Sequence, residues 1–122
     1  MCLTKIDEVL KPIDWSEREG WKVFQRHEEG YGFEFRNLNQ AFHVPTDCWL
    51  KAKVISISSN NLDTYRSGFH VFVTRRGADE WHGNAERGCV VVKVRVRGVE
   101  TIGSQGEHEC WVAREMWVPR PK

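Results

Sequence analysis

Cys89-Val90-Val91-Val92-Lys93-Val94-Arg95-Val96-Arg97-Gly98-Val99 is the stretch on which the fold turns. Val90, Val92, Val94 and Val96 fall at every second position, and Val91, Lys93, Arg95 and Arg97 fill the positions between. Successive side chains of a strand point to opposite faces, so this pattern predicts a strand with a valine face on the core and a largely cationic face turned away from it. The flanking sequence agrees. Gly68 to Thr74 is a compact apolar strand, and after it Ala78, Trp81 and Ala85 fall at helical spacing, giving a short helix over about 75–85 that Thr74 can cap. After the valine strand, Gly103-Ser104-Gln105-Gly106 reads as a turn. Cys110 to Val118 reads as a last strand with apolar residues on both faces, hence central or covered on both sides.

Further from that centre the signals weaken. Trp21 and Val23, then Tyr31, Phe33 and Phe35, alternate with polar residues around Glu28-Glu29-Gly30, the pattern of a β-hairpin. A strand from Trp49 to Ile57 would put Leu50, Ala52 and Val54 on one face and Lys51 and Lys53 on the other. Leu3, Ile6, Val9, Leu10 and Ile13 are loosely helical in spacing until Pro12 interrupts, which predicts a short N-terminal arm or a turn of helix over 1–19. The expectation is a strand-rich α+β domain over 20–118, with a mainly antiparallel sheet of about five to seven strands and one short helix. An exposed tail follows over 119–122, where Pro119 and Pro121 end the last strand.

The chain has 122 residues with 18 Lys and Arg against 17 Asp and Glu, a net charge of +1. That balance argues against a nucleic-acid coat or a polybasic membrane binder, each of which needs a surplus of cations. No apolar run reaches the ~20 residues of a membrane span, and the early charges of Lys5 and Asp7 leave no signal-peptide core, so a cytoplasmic protein is expected. The four cysteines form no Cys-x-x-Cys pair. His108 and Cys110 share a strand face as a conceivable metal pair, but the expectation is no metal.

Four groups are candidates for function. Lys93, Arg95 and Arg97 form a stripe that either binds phosphate or is neutralised by cross-strand acids such as Glu109 or Glu115; the second is preferred. His70, in an aromatic strand, is either an acid, base or ligand anchor, or a satisfied structural histidine. Six tryptophans exceed what a small core readily encloses, so a protein-binding or dimer surface is expected to include at least one of Trp15, Trp49 and Trp81. Cys2 would become an N-terminal nucleophile if Met1 were removed.

Gly68-Phe69-His70-Val71-Phe72, then Ala78 and Trp81, then Val92-Lys93-Val94-Arg95-Val96, Gly103 and Val112-Ala113-Arg114-Glu115-Met116, with the Met1-Cys2-Leu3 start, resemble a group of small phage and prophage proteins. That resemblance implies an accessory protein that binds a host protein, as in counter-defence, or a nucleotide-like ligand. A more distant similarity is to the ADP-ribosyltransferase-like core. It implies an NAD-handling enzyme in which Tyr65, His70, Thr74 and Trp81 face the nucleotide and Glu115, with His70, is the catalytic candidate.

Overall fold

The valine stretch is the strand around which the others assemble. In the computed structural model, which describes residues 3–27, 30–33, 43–83 and 89–121, the chain runs β1 (Lys5–Asp14), β2 (Arg18–His27), β3 (Gly30–Phe33), β4 (His43–Val44), β5 (Trp49–Lys51), β6 (Ser56–Ser58), β7 (Thr64–Arg66), β8 (Phe69–Phe72), α1 (Arg75–Gly83), β9 (Cys89–Gln105) and β10 (His108–Trp117). The main sheet follows the order β1-β9-β10-β8-β2-β3-β4, and β5 adds to β10. All its pairings are antiparallel. This is the expected strand-rich α+β fold with one short helix.

β9 is long enough to serve three neighbours. Its first half pairs with β2 from Arg18↔Val96 to Gln25↔Cys89, its second half pairs with β1, and β10 runs along its other edge. Because β10 also pairs with β8, and β8 meets β2 at Trp21↔Phe72, the strands β9, β10, β8 and β2 close into a ring. Phe24, Val71, Val92, Val94, Val96, Val99, Ala113 and Met116 fill its inside as one core. Phe72, Cys110, Val112, Val23 and Tyr65 form a second core on the other side of the sheet, covered by α1 through Ala78 and Trp81. Thr74 caps α1 as expected, its Oγ1 accepting the Gly77 N–H at 3.1 Å. Among the described residues no helix is long and apolar enough to cross a membrane.

Four expectations need correction. The N-terminal segment is not a turn of helix but the edge strand β1. A register shift between Ile6 and Glu8 and a second irregularity after Val9 space its inward residues unevenly, and that spacing imitates a helix. Leu3 just before it is fully buried, its N–H donating to Tyr65 Oη at 2.9 Å and its carbonyl accepting from the Asn60 N–H. The strand expected over Trp49 to Ile57 stops at Lys51. β10 offers β5 only Glu115 to Trp117, because β8 already holds Cys110 to Ala113 on that edge, so the chain leaves and pairs β6 with β7 instead. The turn expected over residues 103–106 narrows to Gly106-Glu107. Gly106 has φ 63, the glycine-first signature of a two-residue hairpin, and β9 continues to Gln105.

Finally, the alternation of β9 does not run straight through. Gly98 has φ 76 and breaks the alternation, so Val96 and Val99, three residues apart, both reach the inner core; the ladder to β10 slips just beyond, between Val99 and Thr101. The hairpin between β2 and β3 forms as expected, from Phe24↔Phe33 to His27↔Gly30. Phe35, the Glu28-Glu29 turn, Ala85, Met1 and Cys2 lie outside the described residues.

Candidate functional site

The odd positions of β9 leave α1 behind as the strand runs on, and from Lys93 to Arg97 they face outward. Registers fix what lies beside them. Lys93 is opposite Trp21, Arg95 is opposite Glu19 on one side and Trp117 on the other, and Arg97 is opposite Glu115. On the next strand Trp49 is opposite Trp117 and Lys51 opposite Glu115. The face is therefore built of interleaved indoles, cations and carboxylates from four strands.

Their geometry is specific. The Arg97 guanidinium carbon lies 4.0 Å from the Trp49 ring centroid; that of Arg95 lies 4.2 Å from Trp117 and 5.7 Å from Trp49, and Lys93 Nζ lies 5.7 Å from Trp21. Cations over indole faces are each worth about 0.5–1 kcal/mol at exposed sites. Carboxylates complete the pairs, with Lys93 to Glu19 at 2.7 Å, Arg95 to Glu17 at 3.4 Å and Arg97 to Glu115 at 2.5 Å. The stripe is thus neutralised, as preferred from the sequence. Glu115 does this for Arg97; Glu109 instead sits opposite Ser104, and Glu17 and Glu19 take the other two cations. The signal for those two was present in Glu17-x-Glu19-x-Trp21, whose period matches Arg97-x-Arg95-x-Lys93 run in reverse.

Trp15, Trp49 and Trp81 fall at three different places. Trp15 is 53% exposed at the β1–β2 connection, lying against Gly98 so closely that a Cβ on Gly98 would meet Trp15 Cζ3 at 2.7 Å. Trp49 is half-buried in the face just described. Trp81 is half-buried on α1, its ring 6.3 Å from that of Phe72. Trp117, which the sequence did not single out, belongs to the face through its pairing with Trp49.

The histidine centre has a different character. His70 is 6% exposed. Its Nδ1 is 3.1 Å from the Gly68 carbonyl, which only accepts, so Nδ1 carries the proton. Nε2, 2.8 Å from Tyr65 Oη, then accepts the phenol proton, and the same phenol oxygen accepts the Leu3 N–H. Every donor in the chain finds one acceptor. Burial, with the Lys22 charge nearby, pulls the His70 pKa down to about 3, so the ring is neutral at physiological pH. Tyr65 is 5% exposed in the same core, whereas Thr74 is exposed and spends its hydroxyl on α1. Of the four residues expected to face a nucleotide, the structure joins Tyr65 to His70 by a hydrogen bond and uses both to seat the N-terminal segment.

Cys110 is fully buried, and desolvation pushes its thiol up to about 12, which leaves it an inert thiol. His108 Nε2 instead contacts Glu80 on α1, whose carboxyl is held below its usual range first by Arg76 and then by His108. Among the described residues no three His, Cys, Asp or Glu side chains gather as a metal shell. No family model, no curated protein and no solved structure matches this chain.

Proposed function

We propose that this is a small accessory protein of phage type that works in the cytoplasm of a bacterial host by binding a host protein, and that the face of Trp49, Trp117, Arg95 and Arg97 is where it docks. One observation carries this reading: Trp49 and Trp117, which belong to neither core, and Trp21, which borders the second, are set among arginine and lysine on one sheet face. Tryptophan and arginine dominate the energetically important positions of protein interfaces. Here both are held in place by strand register and by each other, so little freedom remains to be lost on binding. The phage setting comes from the resemblance of Met1-Cys2-Leu3 and Gly68-Phe69-His70-Val71-Phe72.

A photo-crosslinking side chain at position 51, on the edge of the face, tests the proposal in a bacterial lysate against the same group at position 8 on β1; both residues are exposed. A discrete adduct from position 51 and none from position 8 is the expected outcome. Adducts from position 8 alone, or the same adducts from both, contradict it.

A further inference from the structure

We propose that Arg95 is the group by which this face reads its partner, and that the partner presents an acidic peptide segment: an Asp or Glu carboxylate on the Arg95 guanidinium, with an apolar neighbour against Trp49 and Trp117. The inference rests on the docking face proposed above and adds the chemistry of its occupant. The three outward cations of β9 are not equally engaged. Lys93 and Arg97 have carboxylates at 2.7 Å and 2.5 Å, whereas Arg95 meets Glu17 through a single Nη1 contact at 3.4 Å. A guanidinium carries five N–H donors in a planar fork, so most of the Arg95 fork is unspent. Trp117 at 4.2 Å and Trp49 at 5.7 Å, on the two strands next to β9 on that side, brace the guanidinium, with 41% of the side chain exposed. A planar fork braced by aromatic rings is suited to a carboxylate taken in bidentate fashion.

Charge complementarity selects the class of partner. Lys51, Lys93, Arg95 and Arg97 stand against Glu17, Glu19 and Glu115 on this face, four cations to three carboxylates, a surplus of one. One surplus charge matches a single acidic side chain. A nucleic acid brings a phosphate at every residue and would meet the interleaved glutamates with repulsion.

The probe is a random peptide library selected on the immobilised full chain, with the enriched peptides measured against variants. The selected peptides are expected to share an Asp or Glu next to an aromatic or aliphatic residue. Arg95→Lys keeps the charge but loses the fork, and should weaken them by about tenfold. Glu17→Gln removes the resident competitor and should tighten them severalfold; both changes lie on the exposed face and leave the cores untouched. Peptides that are lost on Trp117→Ala, carry no acid and ignore Arg95→Lys would leave the docking face standing and overturn its acid-reading role. Peptides indifferent to Trp117→Ala as well would overturn the face itself. A library that yields no enriched peptide, or a single-stranded oligonucleotide that binds the face more tightly than any selected peptide, overturns the assignment to an acidic segment.

Discussion

Gly68→Ala is expected to remove about 4 kcal/mol or more of folding stability, at the upper end of what single substitutions do. Gly68 leads into β8 at the point where it crosses the middle of β10. A Cβ there would stand 2.4 Å from the Ala113 carbonyl oxygen and 3.1 Å from both the Ala113 carbonyl carbon and Val112 Cγ1. The obstacle is the backbone of a central strand, which cannot swing aside as a side chain can. Relief would require β8 to part from β10, and β8 carries Trp21↔Phe72, the pairing that closes the ring, as well as His70, whose Nδ1 bonds to Gly68 itself. Gly106 makes the contrast. A Cβ there meets nothing within 4 Å, so Gly106→Ala should cost only the left-handed penalty of about 1 kcal/mol. Urea denaturation of both variants measures the difference, and a Gly68→Ala loss below about 1 kcal/mol would contradict the packing described.

Acidification from pH 7.5 to 4.5 should cost the protein close to 3 kcal/mol through His70 alone. The ring is neutral in the folded state, with its pKa lowered from 6.5 to about 3, while in the unfolded chain it takes up a proton near pH 6.5. The unfolded state therefore binds more protons throughout the window between those values. Stability is complete above pH 6.5 and falls by about 1.4 kcal/mol per unit of pH below it, until the folded ring itself begins to titrate near 3. Asp14 departs in the same direction but later. Its carboxyl is held at about 2 by Arg18 and Ser16, so its contribution is present above pH 3.8 and is lost only below that value. Measuring between pH 7.5 and 4.5 separates the two. His70→Gln retains an acceptor for Tyr65 Oη and has no proton to gain, so the difference between wild type and variant isolates the histidine. Equal pH slopes for the two proteins would show that His70 is not the buried neutral group described.

The sequence was most legible where one strand obeyed one period. Val92, Val94 and Val96 inside with Lys93, Arg95 and Arg97 outside could be read directly, as could the central position of β10 and the Thr74 cap. Legibility failed where the ladder slips. The register shifts of β1 spread Leu3, Ile6 and Leu10 to a helical spacing, and the left-handed backbone at Gly98 shifts the inward position from Val96 to Val99. It failed again where two strands compete for one edge, since nothing in Trp49 to Ile57 says that β8 occupies the remainder of β10. The site was half legible for the same reason. The cationic stripe and Trp49 stand out in the sequence, but Trp117, Glu17 and Glu19 join them only through pairings between distant segments. His70 attracted notice as a reactive type; its structural role depends on Tyr65 and on the buried Leu3 N–H, which come from two other parts of the chain.

The central claim is a division of labour, in which the outer indole face binds and the buried histidine holds the fold. It is tested most directly by the dissociation constant of the protein crosslinked at position 51, measured at pH 7.5 for wild type, Trp117→Ala and His70→Gln. Trp117→Ala should weaken binding by about thirtyfold, as the loss of a hot-spot indole does, while His70→Gln leaves the affinity within about twofold of wild type. An undiminished affinity for Trp117→Ala together with a collapse for a folded His70→Gln would place the function at the histidine centre and contradict the account.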